Sequence, residues 1–363
     1  MPEPRSASQA AKAVLIDAAE GTRPTFSVLI ATYNQAEYIE ETLDSVAAQS
    51  YPDFELVIVD DGSTDCTAAT ISSWIKEFRQ DRPIRTVFTR IANAGQSAAL
   101  EHGFGFCTGE YICLLDSDDR WLPEKLTEVH RLISTDPAAG MVQHPLYVID
   151  AVGSRTGDVR PKRARLSEGD LRDQMRRTTR FVGTATSGLV IRGDIFRALL
   201  PMATRGLPMG ADSYLTFGAT LLAPVRVITA ALGEYRLHPE GQYLRRMMSA
   251  EGLNRTLALQ QAITRHFGLE EAAHRNSYFA RNVFAAAKLE ENLSRQLRSF
   301  VHLAAATAAD NSFALRQRLL LLGYWAICLV APRKLFLRLW QYFLLRHTGL
   351  DGLPDHPRPL CPS

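Results

Sequence analysis

Cysteine is scarce and oddly numbered. Cys66, Cys107, Cys113, Cys328 and Cys361 are five in 363 residues, and no two show C-x-x-C spacing. That argues against a disulfide framework and a zinc site, and it fits a reducing compartment. A phosphate loop of the form G-x-x-x-x-G-K-S/T is missing, and no G-x-G-x-x-G follows the first apolar run. P-loop and dinucleotide-binding readings therefore lose their main support. Charge of one sign is also missing: 41 Lys+Arg against 39 Asp+Glu leave a net +2. Such a balance excludes a strongly basic nucleic-acid coat and an acidic tail protein, so no nucleic-acid partner is expected. The apolar run 319–331 closes at Pro332 and falls short of the roughly 20 residues of a membrane span. Arg5 and Lys12 lie near the start, but Asp17 and Glu20 interrupt any apolar core, so a secretory signal is not expected. Hydrophobic residues at 46% and charged residues at 22% rule out wholesale disorder. The length suggests one large domain with an appendage, or two domains.

What is present first is alternation. Residues 26–31 (FSVLIA), 54–59 (FELVIV) and 111–115 (YICLL) are short continuous apolar runs, as in strands buried on both faces, and 86–89 is a plausible further strand. Between them, Ile39, Leu43, Val46 and Ala47, then Ile71, Trp74, Ile75 and Phe78, recur at helical spacing. A third helix is expected from Asn93-Ala94-Gly95 to about Cys107, and another from Pro123. Short links between strands and helices predict an α/β fold, a mainly parallel sheet flanked by helices. Ligands of such sheets bind at the carboxyl ends of strands. The polar clusters 32–34, 60–65 and 116–119 all fall there.

Asp116, Asp118 and Asp119 crowd into four residues after an apolar strand. Uncompensated carboxylates so close repel one another, and Mg²⁺ or Mn²⁺ would resolve the conflict. Turn and helix-cap chemistry accounts for the same residues without a metal, as it does for Asp60, Asp61 and Asp65. The segments VLIATYNQAEYIEETLDSVAAQSYPDFELVIVDDGSTD, NAGQSAALEHG and GEYICLLDSDDRWLPEKL occur in this order over roughly 26–126. Together they resemble the family 2 glycosyltransferases, whose catalytic domain has the GT-A fold.

The resemblance implies a metal-dependent, inverting transfer from a nucleotide-diphospho-sugar, such as a UDP-sugar, to a hydroxyl acceptor. Ala31, Thr32 and Tyr33 would face the base, and Asp61 would accept a hydrogen bond from it. Gly95 and Gln96 would approach the donor. Asp116-Ser117-Asp118 is similar to the family's D-x-D motif: Asp118 would coordinate the metal, Asp116 would contact the ribose or the metal, and Asp119 would support them or face the sugar. Many members carry Arg-Asn where this chain has Leu100-Glu101. Gly210-Ala211-Asp212-Ser213-Tyr214-Leu215 looks like the segment whose Asp is the general base in inverting members, with Ala211 in place of the usual acid. Asp212 could equally cap its own helix. Glu234-Tyr235-Arg236-Leu237-His238 resembles a segment that closes the donor pocket; Arg236 would contact diphosphate, and His238 phosphate or metal. Cell-surface polysaccharide or lipid-linked glycan synthesis is the family tendency. The rival readings are a non-catalytic nucleotide-sugar-binding protein and a membrane-associated scaffold.

The expected layout is an N-terminal arm over 1–24 with a short helix through 10–19, a GT-A domain over 25–240, and a helical region over 241–363. In the GT-A domain the nucleotide-sugar half covers about 25–125 and the acceptor half about 126–240. Residues 187–196 read as a strand followed by a turn, and the Arg-rich stretch 151–180 as a mobile loop with a short helix. Arg316, Arg318, Arg333, Lys334, Arg338 and Arg346 lie between 311 and 350 with no Asp or Glu among them. Residues 335–345 carry Leu335, Phe336, Leu339, Trp340, Phe343 and Leu344 opposite Lys334, Arg338 and Gln341. A basic amphipathic helix of this kind either lies in an anionic membrane interface or packs on the protein or a second subunit. The expected location is cytoplasmic, peripheral on the membrane's cytoplasmic face if the tail binds lipid; a homo-oligomer is the other option.

Overall fold

The computed structural model describes residues 14–16, 24–81, 84–161, 165–207, 210–237, 247–310 and 313–348. The chain divides into two compact units, Met1–Val142 with Thr186–Leu215, and Gln143–Ala185 with Thr216–Ser363. In chain order the elements up to the first sheet's centre are β1 (Val14–Ile16), β2 (Phe26–Thr32), α1 (Ile39–Ala47), β3 (Phe54–Asp60), α2 (Thr67–Asp81), β4 (Thr86–Arg90), α3 (Gln96–Phe104) and β5 (Tyr111–Asp116). Then come β6 (Arg120–Trp121), α4 (Lys125–Thr135), β7 (Met141–Gln143), β8 (Leu146–Ile149), β9 (Arg155–Arg160), α5 (Arg172–Thr178), β10 (Leu189–Arg192), α6 (Gly193–Ala198) and α7 (Ala211–Leu222). The remainder is β11 (Val225–Val227), β12 (Gly233–Arg236), α8 (Ala250–His266), α9 (Glu270–His274), α10 (Ser277–Leu289), α11 (Leu293–Ala309), α12 (Leu315–Val330) and α13 (Arg333–Thr348).

In the first unit the sheet runs β1-β4-β3-β2-β5-β10-β7. Strands β4, β3, β2 and β5 are parallel to their neighbours, and β1 and β10 join antiparallel. All residues of β3 are buried, which is why its sequence reads as an unbroken apolar run. Glu55, near the start of β3, accepts hydrogen bonds from the Ser27 hydroxyl, the Thr108 and Gly109 amides and the Thr108 hydroxyl, and it pairs with Arg85. A buried charge is tolerable with that many partners. Helix α3 lies close on the sheet because Gly103 has no side chain: a Cβ there would stand 2.4 Å from Leu29 Cδ1 and 2.8 Å from Val59 Cγ2.

Three elements differ from the sequence expectation. Val14–Ile16 is a strand on the edge of β4, not helix. After β10 the chain turns straight into helix α6. Within the Arg-rich stretch, β9 pairs antiparallel with β8, and Asp150 accepts from the Val152 and Ser154 amides in the turn between them.

In the second unit β12 and β8 pair in parallel beside β9. Helices α8, α10 and α11 begin on side-chain caps: Ser249, Asn276 and Asn292 accept from the amides of Gly252, Tyr278 and Arg295. Their core holds Leu253, Phe284, Leu303, Trp325, Phe336, Trp340, Phe343 and Leu344. The aromatic residues of α13 are thus packed inside, and the Trp340 indole donates to the Met247 carbonyl.

Candidate active site

The site is built at the carboxyl ends of β2, β3 and β5. After β2, Thr32 is buried and its carbonyl accepts from the Asp61 amide at 2.8 Å. Ala31 is partly exposed, and Tyr33 is 45% exposed. Asn34 takes a left-handed φ of 52°, and its side chain receives the Thr64 amide. The first two polar clusters are thereby tied to one another.

Asp60 and Asp61 do different work. Asp60 is buried, accepts from the Ser63 amide, and pairs with Arg90 at 3.0 Å. Asp61 accepts from the Ala94 amide on one oxygen and the Gly95 amide on the other, both at 2.8 Å. This clamp holds the loop that opens α3. Each carboxylate oxygen keeps a second lone pair, so Asp61 can still accept from a ligand. Gly62, at φ +76°, is required for closeness: a Cβ there would sit 2.8 Å from the Asn93 amide nitrogen.

Asp116 and Asp118 are partly exposed, while Ser117 and Asp119 are buried. The alternation sorts the acidic cluster into two that face outward and one that supports. Asp119 accepts from the Ser187 hydroxyl at 2.6 Å; the same hydroxyl receives the Asp116 amide at 3.1 Å, and the Ser187 carbonyl receives the Trp121 indole at 2.8 Å. Gln96 reaches Asp116 Oδ1 at 3.4 Å. Asp212 stands in the first turn of α7, where a helix N-terminus favours an ionised carboxylate.

Burial first, then the charges of Asp118 and Asp212, push the Asp116 carboxyl up to about 8, against hydrogen bonds from Thr186 and Gln96. The charges of Asp118, in the turn after β5, and Asp212, in α7, thus both reach Asp116. Among the described residues no three acidic, His or Cys side chains form a ready cage for a metal. One or two carboxylates with open positions are what Mg²⁺ or Mn²⁺ uses when substrate phosphates complete the coordination, so the residues present fit such an ion.

Arg236 is buried in the second unit, where its guanidinium donates to the Ala151 carbonyl at 2.9 Å. His238 lies outside the described residues. Ser187 and Thr186 were missed by sequence reasoning, because the pairing of β10 with β5 brings them to Asp116 across some seventy residues. Arg205 was missed too. It lines a cavity of about 480 Å³ with Asn93, Ala94, Gly95, Ala98, Gly206 and Leu207. Glu101, in the position that departs from the family pattern, holds this wall by accepting the Met202 amide at 2.5 Å and lying 3.7 Å from Arg205.

Residues 27–196 match the family described as glycosyl transferase family 2. An uncharacterized glycosyltransferase of Nostoc sp. is 32% identical over 219 residues, 60% of this chain and 66% of the relative. The putative teichuronic acid biosynthesis glycosyltransferase TuaG of Bacillus subtilis is 38% identical over 104 residues, 29% of this chain and 40% of the relative. These alignments span between two fifths and just under two thirds of the relatives' lengths. Among solved structures, S. aureus TarS 1-349 in complex with UDP-GlcNAc superposes with a TM-score of 0.56 at 18% identity, covering 92% of this chain and 93% of that one. That likeness establishes the fold: the GT-A type, a mostly parallel sheet flanked by helices, with helices at the C-terminal end.

Proposed function

Residues 27–196 are a glycosyl transferase family 2 domain, and on that premise we propose that the chain transfers a sugar, with inversion, from a nucleotide-diphospho-sugar to an acceptor hydroxyl. The observation that carries this reading is that Asp116, at the carboxyl end of β5, lies within electrostatic reach of both Asp118 in the following turn and Asp212 in the first turn of α7. Asp118, with Asp116, would hold Mg²⁺ or Mn²⁺ there; the ion would offset charge growing on the departing nucleoside diphosphate. Asp212 takes the proton from the acceptor hydroxyl as that oxygen attacks the anomeric carbon. The bond from that carbon to the diphosphate oxygen breaks on the opposite side, which inverts the configuration. Tyr33, Asp61, Gly95 and Gln96 would line the donor's path, and Arg205, which shares a cavity with Gly95, would offer a cation beside them.

UDP-GlcNAc on TarS supports a UDP-sugar as donor, and the likeness to TuaG, a putative teichuronic acid biosynthesis glycosyltransferase, supports a cell-surface polysaccharide as product. Among the described residues no helix is long and apolar enough to cross a membrane. Peripheral contact of the C-terminal helices with the cytoplasmic face of a membrane is part of the same proposal, supported by their basic, acid-free sequence. A thermal-shift panel of nucleoside diphosphates and nucleotide-sugars, with and without Mn²⁺, tests the donor reading. A specific ligand at a hundredfold excess over its dissociation constant stabilises by about 2.7 kcal/mol. The expected result is a shift for one nucleotide that grows with Mn²⁺; no shift for any of them would overturn the proposal.

A further inference from the structure

The outer face of α12 is aliphatic along its length, apart from Arg316 in its first turn. Leu315, Leu319, Leu320, Ile327 and Val330 are 66%, 60%, 66%, 55% and 80% exposed. At 3.6 residues per turn these positions lie on one side of the helix, and Gly323 and Ala326 fill the places between them. The opposite side, with Trp325 and Cys328, is packed into the helical core. Neighbouring α11, which packs on α12, leaves Leu293, Leu297 and Val301 exposed at i, i+4 and i+8. Contiguous exposed aliphatic side chains on this scale mark an interaction surface.

This is not the face that the sequence pattern indicates. Phe336, Trp340 and Phe343 of α13 are buried, so they are unavailable to a partner. What α13 turns outward is Lys334, Leu335, Arg338 and Tyr342. Arg316 is exposed among the leucines of α12, and Arg333 is engaged with Glu291. From 311 to 350 the sequence holds no acid.

Charge decides what covers the face. A second copy of the chain meeting it through a twofold axis would set Arg316, Lys334 and Arg338 against the same residues, with no acid there to pair them. An anionic lipid surface complements both the aliphatic side chains and the cations. Helix α12 has 16 residues, about 24 Å at 1.5 Å per residue, short of the ~30 Å hydrocarbon core. It can lie in an interface but not cross. We propose that the outer face of α12, which carries Arg316 and belongs to an acid-free segment whose next helix exposes Lys334 and Arg338, seats the protein on an anionic bilayer. This deepens the membrane contact proposed above by naming its face, and it does not rest on the catalytic assignment.

The test is flotation of the full chain with vesicles of phosphatidylcholine alone and with 30 mol% phosphatidylglycerol, the composition being our choice. Wild type is expected to float with the anionic vesicles and about tenfold less with neutral ones, and to be released by salt. The double variant Leu319→Gln, Ile327→Gln and the triple variant Arg316→Gln, Lys334→Gln, Arg338→Gln should each lose about tenfold of that binding, with unchanged melting and unchanged nucleotide binding. Equal flotation of wild type and variants, or none by wild type, would overturn the proposal. So would a wild-type dimer that the leucine–isoleucine variant splits, because the face would then be a contact between copies. Nucleotide binding, read in parallel, keeps this outcome separate from failure of the catalytic reading.

Discussion

Lys125 is wholly buried, with its amine 3.1 Å from the centre of the Trp121 ring and without a hydrogen-bond partner. Burial pushes the amine down to about 7 from an ordinary 10.5. Between those values the unfolded chain holds a proton that the folded one lacks, so stability rises with pH from about 7 toward 10 and is lost as pH falls toward 7. The slope from one such group is at most about 1.4 kcal/mol per pH unit. Lys125→Met keeps the length and removes the amine. Its melting temperature at pH 7 should exceed that of wild type, and its rise between pH 7 and 10 should be flatter. Parallel pH profiles for the two proteins would refute this. At the same scale, the place of Asp116 and Asp118 at the carboxyl end of an apolar strand was legible, because the run 111–115 marks the strand and the acids follow it directly. Ser187 was not, because nothing in its own surroundings shows that its hydroxyl joins Asp119 to Asp116.

Strands buried on both faces were easy to read, since β2, β3 and β5 must be almost wholly apolar. Edge strands were not. The alanines around Val14–Ile16 favour helix locally, but three β-branched or aliphatic residues complete the open edge of β4. Strand β9 is polar and half exposed, so its alternation carries no apolar signal. Helices α12 and α13 show a third limit: period gives amphipathicity but not which neighbour takes which face. Trp340 should cost about 3–5 kcal/mol on truncation to Ala, because it fills a core and its indole has a partner. Leu319→Ala should stay within about 0.5 kcal/mol, as for other exposed positions. Urea unfolding of both variants checks the pair; similar losses would contradict the packing.

For the molecule as a whole, the net charge of +2 averages over unlike regions: carboxylates gathered beyond the sheet and a basic, acid-free C-terminal pair of helices. The sheet is the part most plainly written in the sequence, because its strands carry their own pattern. The division into units is not, since Gln143–Ala185 leaves the first unit and Thr186–Leu215 returns to it. That return brings Ser187 to the end of β5 and Asp212 within electrostatic reach of Asp116, and the proposed division of labour among the carboxylates rests on it. Calorimetric titration of UDP with Mn²⁺ into Asp118→Asn and Asp212→Asn, alongside sugar transfer by each, tests that division. Asp118→Asn should weaken nucleotide binding and transfer together, by about tenfold or more. Asp212→Asn should bind UDP within about threefold of wild type and lose transfer. Equal loss of UDP binding in both variants would contradict the assignment of Asp118 to the metal and Asp212 to the proton.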